Sequence, residues 1–220
     1  MHMEEVVSFG LMLASRAGFP LPGFLQRVMV DVPLDEDFLS EYLLNGPPGS
    51  FVDIGANWGK WVGRMIKLRE VYAFEPDPRM CAYMRMSLRG NPKFHLEPVA
   101  LGDSEGLVDL NMTLNPGMNS ILYNKHLSFW KMKVALKKLD SYGLNGVGVI
   151  KIDTEGYEMP VLYGAVETIR RNKPRLAIEL HMDYKTETRK MDDFLKPLGY
   201  RWKIVHYRHG QPHVIADAVA

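Results

Sequence analysis

The stretch "FVDIGANWGKWVG", residues 51–63, determines the fold that the sequence predicts. An apolar run ends in Asp53 and then passes through Gly55, Asn57 and Gly59 within six residues. A glycine-rich turn directly after a strand lets the backbone approach a ligand closely, and the start of the next helix offers unpaired N–H groups. The stretch therefore predicts a strand, a ligand-binding turn and a helix, in that order.

The spacing of these glycines differs from the pattern G-x-G-x-x-G that binds the pyrophosphate of dinucleotides. Asp53 stands just before the first glycine of the turn, and too few glycines follow in the right register. An acid at this place repels a pyrophosphate but suits a ligand with cationic groups. S-adenosylmethionine, with its ammonium and sulfonium charges, is such a ligand, and we predict it as the cofactor.

A second acid supports a nucleotide-like ligand. The strand-like segment "EVYAFEP" ends near Glu75, which lies twenty residues after Gly55. Acids at the carboxyl end of this neighbouring strand bind ribose hydroxyls in nucleotide-binding α/β folds. We therefore predict that Glu75 binds the ribose of the cofactor.

Strand-like and helix-like segments alternate along the chain after residue 50. This alternation predicts an α/β fold with a mostly parallel sheet and right-handed crossovers. The later segments are the strand "GVGVIKID", one helix "EMPVLYGAVETIRR", the strand "PRLAIEL", a helix around "KTETRKMDDFLKPLG", and two final strands, "YRWKIVHY" and "HVIADAV".

A cluster of proline and glycine, "NGPPGS", marks the predicted domain boundary. Residues 1–47 are predicted to form a mainly helical N-terminal extension, and residues 48–220 the α/β domain. We expect the extension to act as a lid, to cap the acceptor side of the site, or to contact a second subunit. An oligomer built through the extension is therefore possible.

Charge and cysteine content exclude some classes of function. Lysine and arginine number 27 against 26 aspartates and glutamates, so the formal charge is +1 and a nucleic-acid partner is not expected. The apolar run "VVSFGLMLA" is too short to span a membrane, so we expect no membrane partner. A single cysteine, Cys81, cannot form an intramolecular disulfide and suits a cytoplasmic location. Cys81 is also a poor candidate for a nucleophile.

Four segments in order resemble the signatures of the FkbM-like class I methyltransferases, which use S-adenosylmethionine. They are "FVDIGANWG", "AFEPDP", "PVALGDSEG" and "VIKIDTEGYE", and the resemblance runs from about Phe51 to Leu180. It implies a doubly wound, Rossmann-like sheet of seven mostly parallel strands, with the last strand antiparallel and helices on both faces. It also implies O-methylation, the transfer of a methyl group to a hydroxyl of a sugar or small metabolite.

The resemblance also implies which residues contact the cofactor. They are Asp53, Gly55, Asn57 and Gly59 for the methionine end, Glu75 for the ribose, Ala100 and Asp103 for the adenine, and Asp153 for the reacting methyl group. The sequence pattern independently supports Asp153 as a site residue. "GVGVI" is a continuous apolar strand, and ligands bind beyond the carboxyl ends of such strands.

Methyl transfer from a sulfonium requires alignment of the acceptor and removal of one proton. The predicted catalytic candidates are Asp153, Glu155, Glu179 and His181. Glu179 and His181 are two residues apart at the end of a strand, so their side chains share a face. Glu158 precedes a helix and is predicted to stabilise its N-terminus instead.

Three further segments give weaker predictions. His206, His209 and His213 surround a turn, but without a carboxylate at zinc-motif spacing we expect a hairpin and no metal ligand. Assistance by a metal through Asp153 and neighbouring acids stays open, and nothing in the sequence requires it. The lysine-rich stretch "KHLSFWKMKVALKK" predicts a solvated, partly helical face. In the loop "NPGMNSIL", Asn119 and Ser120 are predicted acceptor or lid contacts.

Two other functions remain open from the sequence. A methyltransferase for RNA or protein would need a recognition surface in the N-terminal extension or the lysine-rich stretch. A cofactor-binding module without catalysis would retain the same pocket, although intact acids at positions 53, 75 and 153 argue against it.

Overall fold

A computed structural model describes residues 37–113, 119–122, 130–182, 184–208 and 210–219. Its strands are β1 (Ser50–Ile54), β2 (Val71–Phe74), β3 (Phe94–Glu97), β4 (Ala100–Leu101), β5 (Gly106–Met112), β6 (Trp130–Lys137), β7 (Val147–Ile152), β8 (Arg175–Glu179), β9 (Tyr200–Arg208) and β10 (Gln211–Ala218). Its helices are α1 (Asp37–Leu44), α2 (Lys60–Met65), α3 (Pro78–Ser87), α4 (Glu158–Tyr163), α5 (Val166–Asn172) and α6 (Tyr184–Leu195), with a 3₁₀ turn at Leu139–Tyr142.

Seven strands form one sheet in the order β3-β2-β1-β7-β8-β10-β9. Strand β10 runs antiparallel to both of its neighbours, while the other pairings are parallel. The predicted seven-stranded, mostly parallel sheet is thus confirmed, as is the final hairpin. The chain builds outward from β1 to β3 and then returns to β7, so the direction of winding reverses between β1 and β7. Ligands bind beyond the carboxyl ends of the strands at such a reversal.

Side chains of the central strands alternate between two buried layers, which places helices on both faces. Val52 and Ile54 of β1 pack in one core with residues of α4, α5 and α6. Phe51 of the same strand packs in a second core with residues of α1, α2 and α3. The central strands β1 and β7 are therefore covered on both sides, which explains their largely apolar sequences.

Two predictions of local structure were wrong. The lysine-rich stretch is not helical from residue 130, because it forms β6, in which Val134 and Leu136 face the interior. Lysines alternate with these residues and face solvent, which is the period of a strand. Strand β6 pairs with β4 and β5 in a separate three-stranded sheet that the sequence did not predict. The residues of this stretch before 130 lie outside the described part.

The predicted single helix over residues 158–171 is divided into α4 and α5 at Gly164. A Cβ atom on Gly164 would lie 1.8 Å from the carbonyl oxygen of Gly102, so only glycine fits this contact. The Gly164 carbonyl accepts a hydrogen bond from Asp140 N (3.0 Å) outside the helix. Packing against neighbouring loops therefore interrupts the helical pattern.

Most of the predicted N-terminal extension lies outside the described residues, and only α1 belongs to it. In the described segment α1 is helical, as predicted, and Arg175 Nη1 donates to the Tyr42 carbonyl at 3.0 Å. None of the described helices combines the length and apolar character needed to cross a membrane.

Candidate active site

A cleft of about 620 Å³, its open mouth included, lies at the carboxyl ends of β1, β2 and β7. Its lining comes from the loops that follow these three strands, from the three-stranded sheet and from residues 119–121. The lining residues are Ile54, Gly55, Asn57, Phe74, Glu75, Pro76, Ala100, Leu101, Leu110, Asn119, Ser120, Ile121, Asp153, Thr154 and Glu155. Five predicted cofactor-binding positions are therefore brought together: Gly55, Asn57, Glu75, Ala100 and Asp153.

The turn after β1 brings the first and last motifs into contact. Gly55 has a φ of +76°, and a Cβ atom there would lie 1.8 Å from the carbonyl oxygen of Asp153. Asp153 N donates to the Ile54 carbonyl at 3.1 Å. Asn57 and Gly59 also have positive φ angles, of 51° and 87°. Glycine at position 55 therefore allows the turn to pack directly against the backbone that follows β7.

Glu75 is fixed between the two loops that follow β1 and β2. Its Oε2 accepts a hydrogen bond from Asn57 N and its Oε1 accepts one from Asp77 N, both at 2.7 Å. The residue is 7% exposed. Burial raises its pKa to about 8, although both hydrogen bonds oppose that rise. The remaining lone pairs of this carboxylate are acceptors for hydroxyl groups at the cleft wall.

Asn119 and Ser120 connect the loop after β5 to the loops that follow β2 and β7. Asn119 Nδ2 donates to Asp77 Oδ2 (2.7 Å), and Asn119 Oδ1 accepts from Thr113 N (2.7 Å). Ser120 Oγ donates to the carbonyl of Glu155 (2.7 Å). Both residues line the cleft, and these bonds show how they are held. Their role as acceptor or lid contacts stays a prediction.

A cluster of four carboxylates and a histidine lies at the ends of β7 and β8. We call Asp153, Glu155, Glu158, Glu179 and His181 the acid–histidine cluster. His181 Nδ1 is 3.1 Å from Glu158 Oε1. Its Nε2 is 3.6 Å from Glu155 Oε2, 3.7 Å from Glu179 Oε1 and 3.8 Å from Asp153 Oδ1. The cluster contains every predicted catalytic candidate.

Glu158 holds the turn after β7 together. Its Oε1 accepts hydrogen bonds from Thr154 N (3.1 Å), Thr154 Oγ1 (3.2 Å) and Gly156 N (2.9 Å). The residue is 0% exposed. These contacts fit the structural role predicted for Glu158, and they also fix the orientation of His181.

The pKa values of the cluster members are shifted in different directions. Burial raises the pKa of Glu155 to about 7, and the charges of Asp153, Glu179 and Glu158 add to the rise, while His181 opposes it. Burial would lower the pKa of His181, but the hydrogen bond that it donates to Glu158 and the nearby carboxylates raise it to about 10. Burial would raise the pKa of Asp153, but Lys151 and His181 lower it below the usual value. Glu155 is therefore better suited than His181 to accept a proton near neutral pH.

Two residues that the sequence analysis did not assign to the site lie beside the cluster. Lys151 Nζ donates to Asp153 Oδ2 (3.0 Å) and lies 3.8 Å from Asp53 Oδ1. A lone lysine inside the buried strand "VGVIKI" was an available signal, because buried lysines need an acidic partner. His213 lies opposite Glu179 in the pairing of β10 with β8. No sequence signal reveals that pairing, since it depends on strand register.

Three predicted cofactor residues are not among those that line the cleft in the described chain. Asp53 is 1% exposed and lies beside Lys151. Gly59 precedes α2 as its N-cap. Asp103 is exposed in the turn after β4. Their cofactor contacts stay predictions.

Cys81 is buried, and burial raises the pKa of its thiol to about 12, which agrees with its exclusion as a nucleophile.

The contacts of Glu158 and Glu155 predict opposite results when each is replaced by alanine. Glu158→Ala leaves several buried donors without an acceptor and should lower the free energy of unfolding by about 3 kcal/mol. Glu155→Ala removes a side chain that is 32% exposed and should change it by less than about 1 kcal/mol. Urea unfolding followed by circular dichroism measures both. Equal losses in the two variants would contradict the structural role of Glu158.

A family model described as the methyltransferase FkbM domain matches residues 53–202, more than half of the chain. The 2-O-methyltransferase NoeI of Sinorhizobium fredii is 29% identical over 153 residues, which cover 60% of this chain and 63% of that protein. The chain therefore spans less than two thirds of the length of this curated relative.

Solved structures of low sequence identity share the fold. The methyltransferase FkbM of Methylobacillus flagellatus has a TM-score of 0.57 at 16% identity, covering 77% of this chain and 43% of that chain. An rRNA methylase of Streptococcus thermophilus has a TM-score of 0.51 at 15% identity, covering 84% and 93% of the two chains. The glycine turn, the acid after β2 and the segment after β7 all lie within the matched residues. The chain belongs to the FkbM methyltransferase domain family.

Proposed function

We propose that the protein transfers a methyl group from S-adenosylmethionine to a hydroxyl of a sugar or small metabolite. One observation carries the proposal: Glu75, the open turn at Gly55 and the carboxylate of Asp153 border one cleft at the point where the winding of the sheet reverses. A nucleoside with a cationic tail fits these three features. The relative from Sinorhizobium fredii is named a 2-O-methyltransferase, which supports oxygen as the methyl acceptor.

The cofactor would lie across the carboxyl ends of the central strands. Glu75 would accept hydrogen bonds from the ribose hydroxyls, and Ala100 and Leu101 would border the adenine. The methionine end would lie over the turn at Gly55 and Asn57, which the contact of Gly55 with the Asp153 carbonyl holds beside the cleft. Asp153 would face the sulfonium, whose positive charge a carboxylate favours.

The reaction needs little chemistry from the protein, because the sulfonium already activates the methyl group. The acceptor oxygen attacks the methyl carbon, the C–S bond breaks, and its electron pair stays on sulfur as a thioether. The hydroxyl proton goes to a base. Glu155 fits this role best because it lines the cleft, is partly exposed, and makes no hydrogen bond through its carboxylate in the described chain.

The charge of the cleft favours a neutral acceptor. Three carboxylates line it, Glu75, Asp153 and Glu155, and its described lining contains no lysine or arginine. Carboxyl groups form hydrogen bonds with hydroxyl groups in either protonation state, whereas a phosphate would meet no cationic side chain in this lining. A sugar or small hydroxylated metabolite therefore fits better than RNA.

Replacement of Glu75 by alanine should remove cofactor binding. We expect calorimetry at about pH 8.5, where Glu75 is ionised, to show micromolar binding of S-adenosylmethionine to the wild type and no binding of NAD. Affinity for S-adenosylmethionine should be weakened by roughly 100-fold in Glu75→Ala, because two charge-assisted hydrogen bonds are lost. Glu70→Ala is the matched control, since Glu70 is an exposed acid beside the start of the same strand. It should bind like the wild type.

Binding of NAD alone, or equal binding of S-adenosylmethionine to both variants, would refute the cofactor assignment. A radiolabelled methyl group should then move from bound cofactor to one of a panel of sugars and hydroxylated metabolites. Cofactor binding without transfer to any hydroxyl, amine or RNA acceptor would favour a binding module without catalysis.

The raised pKa of Glu75 predicts that nucleoside binding depends on pH. Below about pH 8 the carboxyl is protonated and offers fewer acceptors, while above it the carboxylate accepts both ribose hydroxyls. Affinity for methylthioadenosine, a thioether nucleoside without an ionisable tail, should therefore rise roughly 20-fold from pH 6.5 to 8.5. Calorimetry across this range measures it, and Glu75→Gln should show no such rise. A flat profile in the wild type would refute the assignment.

A further inference from the structure

Three side chains at the ends of β7 and β8 bring potential metal ligands together. One ligand atom each from Asp153, Glu179 and His181 lies within 4.8 Å of the other two. His181 Nε2 is 3.8 Å from Asp153 Oδ1 and 3.7 Å from Glu179 Oε1. These separations are too long for hydrogen bonds. They suit atoms that share one ion, because ligands roughly 2.1 Å from a metal lie about 3 to 4 Å from each other.

Glu179 is a buried acid whose only described polar neighbours are histidines. Its side chain is 8% exposed, yet its carboxylate accepts no hydrogen bond from any described residue. Its polar neighbours are two histidines at ion-pair distances, His181 at 3.7 Å and His213 at 3.4 Å. A buried carboxylate without hydrogen bonds is costly unless a cation lies beside it. That cation is either protonated His181 or a metal ion, which would bind His181 in its neutral form.

His213 supplies an independent observation that points to the same place. Its side chain is 2% exposed, and its Nε2 has no hydrogen-bond partner among the described residues, although Glu179 Oε1 lies 3.4 Å away. The strand pairing of β8 and β10 directs it at Glu179. Buried polar atoms without partners mark places where an ion or water binds.

We propose that Asp153, Glu179 and His181 bind a divalent cation, for which Mn²⁺ is the best match. Carboxylate oxygens suit magnesium and manganese, while an imidazole nitrogen favours a transition metal. Manganese satisfies both preferences. Three protein ligands would leave roughly three positions open on a six-coordinate ion.

Neighbouring residues already orient two of the three ligands, His181 and Asp153. Glu158 Oε1 is hydrogen-bonded to His181 Nδ1, which leaves Nε2 facing the two carboxylates. Lys151 holds Asp153 Oδ2 and leaves Oδ1 on the histidine side. A histidine whose second nitrogen is bonded to a carboxylate is the usual arrangement at metal sites. The sequence alone could not indicate this set, because it depends on how β7, β8 and β10 pair.

The proposed ion would act on the acceptor, and this part of the proposal rests on the proposed function. Asp153 lines the cleft, so the open coordination positions would face the space in front of the reacting methyl group. A hydroxyl oxygen bound there would be oriented, and its proton would be easier for Glu155 to remove. An acceptor with two adjacent hydroxyl groups fits such an ion best, since both oxygens can bind it.

Binding of Mn²⁺ to the full chain tests the proposal without an acceptor. Free Mn²⁺ gives a sharp electron paramagnetic resonance signal that weakens on binding, so titration yields a Kd and a stoichiometry. We expect one site in the wild type, with Kd raised at least roughly tenfold in Glu179→Gln. The glutamine variant keeps the shape of a side chain that makes no hydrogen bond, so we expect it to fold. Asp153→Asn is the second variant and should weaken binding likewise.

Glu75→Gln is the matched control because it changes another acid of the same cleft. It should keep the Mn²⁺ Kd of the wild type while losing S-adenosylmethionine, and Glu179→Gln should do the reverse. No Mn²⁺ binding by the wild type up to about 1 mM, or an unchanged Kd in both Glu179→Gln and Asp153→Asn, would overturn the metal site. A wild type that binds Mn²⁺ but not S-adenosylmethionine would instead overturn the proposed function, so the two failures are distinguishable.

Discussion

The site depends on one close approach of two backbone segments. Gly55, after β1, lies so near the carbonyl of Asp153, after β7, that no side chain fits between them. The contact holds the turn of the first motif against the last one at the place where the sheet reverses direction. Because both strands are parallel and adjacent, their carboxyl ends open into one cleft. The carboxylates of the two motifs are thereby placed together, although about a hundred residues separate them in the chain.

The acids of the cleft have different surroundings, and the proposed function gives each of them a different task. Glu75 is held by two backbone N–H groups and directs its remaining lone pairs to the cleft wall. Asp153 is paired with Lys151, which keeps it ionised opposite the proposed sulfonium. Glu155 is partly exposed and has a pKa of about 7. Binding of the ribose, stabilisation of the methyl donor and removal of a proton are therefore assigned to separate carboxylates.

The sequence predicted the features that depend on neighbouring residues. The glycine turn, the acid after β2 and the apolar strand before Asp153 are local patterns, and the structure brings Gly55, Glu75 and Asp153 together as expected. Features that depend on packing between distant segments were not predicted. The placement of His213 beside Glu179 follows from the register of β10 on β8, which no local pattern reveals.

Contacts between distant segments and a strand period that the charges obscured explain the other differences. The segment before and after Gly164 has a helical pattern, but the contact of Gly164 with the Gly102 carbonyl divides it. The lysine-rich stretch was interpreted by its charge, whereas its alternation of Val134 and Leu136 with lysines is that of a strand. Asn119 was recognised as a loop residue at the site, but its bond to Asp77 requires two loops to meet in space.

The most direct test of the account is a crystal structure of the protein with S-adenosylhomocysteine, the product of methyl transfer. The account predicts that both ribose hydroxyls lie within hydrogen-bond distance of Glu75 and that the sulfur lies over the carboxyl ends of β1 and β7, facing Asp153. Density for the ligand in another part of the molecule, or a ribose held by groups other than Glu75, would contradict it.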